Sequence, residues 1–183
     1  MSKPAIFLDR DGTIFIDTGY PGDEDPINFL PGVPDSLRML QVNFVLIIIS
    51  NQSGVGRGVI TKDEMYRVHS KMINKLEEEN IRITDSFFCL HAPSDNCICR
   101  KPLPTMILNA AEKWNLQLNH SYMIGDKNSD IEAGYHAGCK SILLNDDVSL
   151  AEKLTQQPYP DFIASGLQTA ANWIMINKDE SVT

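Results

Sequence analysis

The chain has 183 residues, of which 43% are hydrophobic and 22% are charged, and its formal net charge is −8. This length and balance suit one folded domain, so we expect a single domain over residues 1–183. The acidic excess argues against nucleic acid as a partner, because such binding needs clustered basic charge, but it permits a small phosphorylated ligand.

The sequence carries no recognisable targeting or membrane segment. The apolar run in the N-terminal stretch MSKPAIFLDRDGT is too short for a secretory signal. The longest apolar run, residues 44–49, is too short to span a bilayer. We therefore expect a cytoplasmic protein without a membrane partner, in which thiols stay reduced. We also expect the protein to be a monomer.

Short apolar runs alternate with helical patterns along the chain. The runs are almost continuously apolar, which is typical of strands buried on both faces of a parallel sheet. This alternation predicts a doubly wound, Rossmann-like α/β sheet whose ligands bind beyond the carboxyl ends of the strands. The predicted strands cover residues 5–9, 44–50, 86–90, 121–126, 141–144 and 161–165, and the predicted helices cover 104–115, 129–137 and 167–176, besides one that starts at a capping box of Thr61 and Glu64.

Two segments do not fit this pattern. Residues 16–33 are rich in Gly, Pro and Asp and have no clear period. A long irregular loop in a compact domain is often functional. The polar tail, residues 177–183, is expected to be disordered.

Two carboxylates follow the first predicted strand. Asp9 and Asp11 are two residues apart, so they can face the same side. Their mutual repulsion favours a cation between them, and oxygen ligands favour Mg²⁺. One carboxylate can also act as a nucleophile while the other transfers protons. A solvated acidic turn is the alternative, which the position directly after a buried strand disfavours.

The ends of three further strands carry groups suited to a phosphate and a cation. Ser50 and the glycines after it offer a hydroxyl and N–H groups, although an ordinary Gly-rich turn is an equal alternative. Lys101 can neutralise a carboxylate and a phosphate, and Arg100 can bind a phosphate as a fork, unless both are simply solvated. Asp126 can reach the same cation, and Asp130 can orient Lys101 or a metal-bound water, unless it is simply an acid at a helix N-terminus that interacts with the helix dipole.

Three of the four cysteines lie close to a histidine. The spacing is Cys89-x-His91 and then Cys97-x-Cys99, and this donor set suits a closed, structural tetrahedral Zn²⁺ site. A redox pair would more typically read Cys-x-x-Cys, and chance clustering is the other alternative. Zinc would order the loop over residues 89–99, directly before Arg100.

These strand ends resemble the motifs of the haloacid dehalogenase (HAD) superfamily. The resemblance implies that Asp9 is a nucleophile that forms a phosphoaspartate and that Asp11 is the general acid and base. It implies that Ser50 and Lys101 stabilise the transferring phosphoryl group, and that Mg²⁺ binds Asp9, the Asp11 carbonyl and Asp126. It also implies a HAD-type fold, capless here because neither early connection has room for a further domain. The matching motifs are Asp9-x-Asp11-Gly12-Thr13, Ser50, Lys101 and Gly125-Asp126-x-x-x-Asp130.

A narrower resemblance is to the zinc-loop branch of this superfamily, which includes heptose bisphosphate and histidinol-phosphate phosphatases. It rests on DRDGT, NQSGVGRG, the Cys/His spacing and GDK. Ser53 favours the heptose side, because the histidinol side usually has Asp there. The resemblance gives Arg100 a role in substrate recognition and places Lys127 beside the phosphate and metal. The other implied substrate contacts are Asp17, Thr18, Gly19, Tyr20, Ser50, Asn51, Gln52, Ser53 and Lys101.

The expected function is Mg²⁺-dependent removal of the C7 phosphate of a D-glycero-D-manno-heptose 1,7-bisphosphate, in ADP-heptose and lipopolysaccharide core biosynthesis. The enzyme alternative is a phosphatase for histidinol phosphate or another small sugar phosphate. The alternatives without enzyme activity are an inactive zinc-stabilised binding protein and a receiver-like signalling module. A receiver normally carries its phosphorylated Asp after the third strand, whereas Asp9 follows the first.

Overall fold

The computed structural model describes residues 2–16, 27–145, 147 and 157–178. Six strands are present in this part of the chain: β1 (Ala5–Leu8), β2 (Val45–Asn51), β3 (Asp85–Cys89), β4 (Tyr122–Gly125), β5 (Lys140–Leu144) and β6 (Phe162–Ala164). They form one parallel sheet in the order β3-β2-β1-β4-β5-β6. The six predicted strands and the doubly wound class are confirmed.

The α-helices of the described chain are α1 (Val33–Leu40), α2 (Ser53–Gly56), α3 (Lys62–Glu78), α4 (Thr105–Trp114), α5 (Asn128–Ala137) and α6 (Leu167–Asn177). The predicted helices are confirmed to within one or two residues at their ends. The capping box is also confirmed, since the Thr61 hydroxyl accepts from the Glu64 N–H at 3.1 Å and the Glu64 carboxylate accepts from the Thr61 N–H at 2.6 Å. The single turn of α2 was not predicted.

The sheet buries both of its faces. On β1, Ile6 and Leu8 pack in one apolar cluster with residues of α1, α3 and α6. Ala5 and Phe7, which alternate with them, pack with residues of α4 and α5 on the other face. This two-sided burial explains the continuous apolar runs, and each fully buried Phe or Leu contributes roughly 1.5–3 kcal/mol.

The connections are short where the structure describes them. Between β2 and β3 the chain forms only α2 and α3, and the described part of the β1–β2 connection contains α1, so these segments carry no cap domain. Helix α6 continues through Asn177, where a disordered tail was expected. Residues 17–26 and 179–183 lie outside the described residues, and Asp17, Thr18, Gly19 and Tyr20 fall among them. No helix in the described ranges is long and apolar enough to cross a membrane.

Candidate active site

The predicted catalytic and substrate-binding residues that the structure describes line a cavity of about 270 Å³ at the carboxyl ends of the central strands. Asp126, a predicted metal ligand, is not among the lining residues. This edge of the sheet is where doubly wound folds bind ligands, next to the point between β1 and β4 at which the strand order reverses. Ser129, in the first turn of α5, also lines the cavity although the sequence analysis did not single it out. The lining residues are Asp9, Asp11, Ser50, Asn51, Gln52, Ser53, Arg100, Lys101, Lys127, Ser129 and Asp130.

Strand β1 delivers the two predicted carboxylates. The N–H of Asp9 donates to the Ile124 carbonyl at 2.9 Å, which ties the end of β1 to β4. The chain then turns at Gly12, whose φ of +82° is in the left-handed region. A Cβ at Gly12 would lie 2.5 Å from the Asp126 carboxylate, so glycine permits the close approach of β1 and Asp126.

Lys101 is the electrostatic centre of the site. Its buried ammonium lies 2.9 Å from Asp9 Oδ1 and 2.6 Å from Asp130 Oδ1, and it donates to the Ile49 carbonyl at 2.7 Å. Burial alone would lower the pKa of Lys101, but the charges of Asp9 and Asp130 more than offset this effect and raise it. The ammonium therefore stays charged beside Asp9, as a nucleophilic carboxylate requires.

Asp130 has two tasks. Its Oδ2 accepts from the Lys127 N–H at 3.1 Å at the start of α5, while its Oδ1 pairs with Lys101. The contact with Lys101 and the position in the first turn of α5, which were considered as alternatives for Asp130, thus occur together. A Cβ at Gly125 would clash with its carboxylate, which explains the glycine before Asp126.

Asn51 holds the main chain of Lys101. Its Nδ2 donates to the Lys101 carbonyl and its Oδ1 accepts from the Lys101 N–H, both at 3.0 Å. The pair of bonds joins the end of β2 to the segment after the cysteine cluster. This contact was not anticipated, because Asn51 was singled out as a substrate contact.

The carboxylates fit a divalent cation. Asp9, Asp126 and Asp130 each offer an oxygen, and these oxygens lie within 4.8 Å of one another. Asp126 Oδ1 is buried and has no hydrogen-bond partner among the described residues. Burial, together with the charge of Asp9, raises the pKa of Asp126. A hard cation bound to these oxygens would satisfy Asp126 and hold it ionised.

The side chains of the cysteine cluster, which are Cys89, His91, Cys97 and Cys99, lie close enough together to share one metal ion. Cys89 Sγ lies 3.5 Å from Cys97 Sγ and 3.1 Å from Cys99 Sγ, and His91 Nδ1 lies 3.2 Å from Cys99 Sγ. The edges of a tetrahedral zinc–thiolate site measure about 3.8 Å, whereas a disulfide needs about 2.05 Å. Burial raises the pKa of Cys89 to about 12, so that thiol needs a cation to ionise.

The cysteine loop, residues 89–99, packs against the end of β2 and against α2, beside the cavity. The Gln52 N–H donates to the Cys89 carbonyl at 2.8 Å, and a Cβ at Gly56 would clash with the main chain of Ala92. One side of the loop therefore contacts α2, and its other end leads into Arg100. Arg100 Nη1 is buried without a hydrogen-bond partner in the described chain, which suits an anionic ligand.

Comparisons with known proteins agree with this architecture. A family profile described as HAD-hydrolase-like matches residues 98–170. The D-glycero-beta-D-manno-heptose-1,7-bisphosphate 7-phosphatase of Yersinia pestis is 35% identical over 182 residues, which cover 95% of this chain and 90% of the relative. The protein of the same name from Helicobacter pylori is 39% identical over 175 residues, with 94% and 91% covered.

A solved structure with a similar fold holds ligands. It is the D,D-heptose 1,7-bisphosphate phosphatase from B. bronchiseptica, complexed with magnesium and phosphate. The TM-score is 0.84 and the sequence identity is 28%, with 95% of this chain and 99% of that chain covered.

Proposed function

Because the chain belongs to the HAD family of phosphatases, we propose that it removes the C7 phosphate of a D-glycero-D-manno-heptose 1,7-bisphosphate. The single observation that carries the proposal is the buried Lys101–Asp9 pair at 2.9 Å in a polar cavity. The position of Asp9 after β1 and of Lys101 after β3 also disfavours a receiver-like module.

The proposed reaction has two displacements. An Asp9 oxygen bonds to phosphorus while the bond from phosphorus to the C7 oxygen breaks, and Asp11 donates its proton to that leaving oxygen. Asp11 then takes a proton from water, whose oxygen bonds to phosphorus and displaces Asp9. Lys101 and Ser50 stabilise the charge on the phosphoryl oxygens, so the rate gain comes from positioning and electrostatics.

Ser50 is oriented for this role. Its Oγ accepts from Gln52 Nε2 at 2.9 Å, so its own proton is left for a phosphate oxygen. Ser50 is 1% exposed and lines the cavity. A donor that is already fixed before the reaction needs no reorganisation during it.

Two metals complete the proposal. Asp9 and Asp126 would hold Mg²⁺ together with the Asp11 carbonyl, and the ion would supply positive charge against the phosphoryl oxygens. Support comes from the proximity of these carboxylates and from the magnesium in the B. bronchiseptica structure. The structural zinc would bind the cysteine cluster, which consists of Cys89, His91, Cys97 and Cys99.

Arg100 supports a substrate with a second phosphate. It lines the cavity, and its buried Nη1 has no hydrogen-bond partner in the described chain. Lys101 pairs with Asp9 and Asp130, and Lys127 lies 3.7 Å from Asp126. A second phosphate would bind the Arg100 guanidinium as a fork. We propose that Arg100, Ser53 and residues 17–20 bind the rest of the substrate.

The test is a side-by-side steady-state assay of both heptose 1,7-bisphosphate anomers and histidinol phosphate. We expect kcat/KM for the better heptose anomer to exceed that for histidinol phosphate at least about tenfold, as one well-placed charge contact provides. An Arg100→Lys variant serves as a matched probe, because Lys keeps the charge and loses the fork. A preference for histidinol phosphate would contradict the heptose assignment.

A further inference from the structure

Arg10 is a buried charge to which the sequence analysis gave no task. It lies between the two motif carboxylates in sequence and is 2% exposed. Its guanidinium carbon lies 5.4 Å from the centre of the Phe15 ring. Burying a guanidinium costs several kcal/mol unless charged partners and hydrogen bonds compensate, so its partners are informative.

The main partner of Arg10 is the carboxylate of Asp11. Arg10 Nε donates to Asp11 Oδ2 and Arg10 Nη2 donates to Asp11 Oδ1, both at 3.0 Å. This two-point fork fixes the plane of the carboxylate as well as its position. A single-point donor such as Lys cannot do both.

Gln52 completes the arrangement from β2. Its Oε1 accepts from Arg10 Nη2 at 2.9 Å, and its Nε2 donates to Asp11 Oδ2 at 2.7 Å and to Ser50 Oγ at 2.9 Å. One buried amide thus joins Asp11 and Ser50. The result is a closed network of four side chains along the wall of the cavity.

The network treats the two Asp11 oxygens differently. Oδ2 accepts from both Arg10 Nε and Gln52 Nε2, whereas within the described part of the chain Oδ1 accepts only from Arg10 Nη2. Oδ1 is therefore better able than Oδ2 to bind a proton or to accept a further hydrogen bond. Proton transfer needs its donor and acceptor within hydrogen-bond reach and in line, so fixing this oxygen affects the rate.

We propose that Arg10 and Gln52 are positioning residues that fix Asp11 so that its Oδ1 gives the proton to the leaving oxygen and takes one from water. This inference rests on the proposed phosphatase function and goes beyond it. Neither residue touches the reacting atoms in this scheme. Both act through the orientation of Asp11.

The test compares two leaving groups in single turnovers. The leaving group of an alkyl phosphate is an alkoxide, which needs a proton. The leaving group of p-nitrophenyl phosphate is a stable phenolate, which hardly needs one. The alkyl ester is heptose 1,7-bisphosphate or histidinol phosphate, whichever the wild-type protein hydrolyses faster. The variants are Arg10→Lys and Gln52→Glu, with the exposed Arg82→Lys as control.

We expect Arg10→Lys to slow alcohol release from the alkyl ester about 100-fold, and nitrophenolate release less than about tenfold. Gln52→Glu replaces the donor to Asp11 by an oxygen of the same size. Because it also removes the donor to Ser50 Oγ, we expect a loss for both esters that is larger for the alkyl ester. If Arg10→Lys does not fold by circular dichroism, Gln52→Glu decides by the same ratio.

The results separate the two proposals. Equal losses for both esters, or no loss, would overturn the positioning role while leaving the phosphatase function intact. A wild-type protein that hydrolyses none of these esters would instead contradict the proposed function, and the positioning role with it.

Discussion

Single buried charges determine what this site can do. Lys101 pairs with Asp9 and Asp130 and donates a hydrogen bond to the Ile49 carbonyl. The ammonium is therefore held by three partners from separate segments. An exposed lysine loses side-chain conformational entropy when it binds a phosphate. Lys101 has already lost this entropy on folding.

Burial lowers the pKa of His69, whereas the pKa of the buried Lys101 is raised, and the lowered pKa of His69 affects folding stability. It is 9% exposed and packs edge-on against Phe88, with ring centres 4.9 Å apart. Burial, followed by the nearby charge of Arg10, lowers the pKa of His69 from 6.5 to about 4. The unfolded chain thus binds the His69 proton more readily, so folding stability falls as the pH drops through this interval.

We predict that His69→Phe removes this dependence. Between about pH 7 and pH 5 the wild-type protein should lose about 2 kcal/mol more of its free energy of unfolding than the variant does. Urea titrations at both pH values measure the difference, with the exposed His136→Gln as the matched control. An equal loss in wild type and His69→Phe would show that His69 is not buried as a neutral ring.

At the scale of elements, the sequence allowed most of the strands and helices to be predicted, but few of the contacts between them. Apolar runs and the Thr61–Glu64 box suffice for the strands and α3, because their signals are local. Helix α2 was missed because it is one turn long and lies in a stretch where glycines equally indicate a loop. The contacts of Asn51 with Lys101 depend on how β2 meets a distant segment, which no local pattern contains.

Gly56 tests whether α2 transmits the position of the cysteine loop to the cavity. We predict that Gly56→Ala costs about 1–3 kcal/mol of stability, because the new methyl meets the main chain of Ala92. Activity should fall too, since α2 begins directly after Gln52. Gly166→Ala is the control, because a Cβ there meets nothing within 4 Å and its φ of 174° suits any residue.

The measurements are thermal unfolding and kcat for both alanine variants. A Gly56→Ala protein with the stability and kcat of the wild type would mean that α2 and the cysteine loop move apart without consequence. Such a result would separate the loop from the chemistry.

Removal of zinc also tests whether the position of the cysteine loop affects the cavity, this time by disturbing the loop itself. We predict about one zinc per chain by elemental analysis. A strong chelator, with Mg²⁺ then restored, should increase amide exchange in residues 89–99 and lower kcat at least about tenfold, because Lys101 and Arg100 lose their anchor. Cys139→Ser, which removes a buried thiol outside the cluster, is the control and should contain as much zinc as the wild-type protein. Unchanged exchange and activity in a zinc-free protein would contradict the structural role.

At the scale of the whole molecule, the strand order explains why distant residues meet. The parallel order β3-β2-β1-β4-β5-β6 puts the carboxyl ends of β1, β2 and β4 side by side. Asp9, Ser50 and Asp126 could therefore be predicted to converge from the order of elements alone. The register that pairs Leu8 with Ile48 also brings Arg10 near Gln52, and this network could not be predicted because it depends on side-chain rotamers.

The most direct test of the account asks whether the phosphoryl group passes through Asp9. Acid quenching of the enzyme during turnover of heptose 1,7-bisphosphate, followed by proteolysis and mass spectrometry, locates any phosphate bound to the chain. We predict a phosphorylated Asp9 peptide in the wild-type protein, and neither the phosphopeptide nor measurable turnover in Asp9→Asn. Wild-type turnover by Asp9→Asn, or phosphate on a different residue, would contradict the central claim.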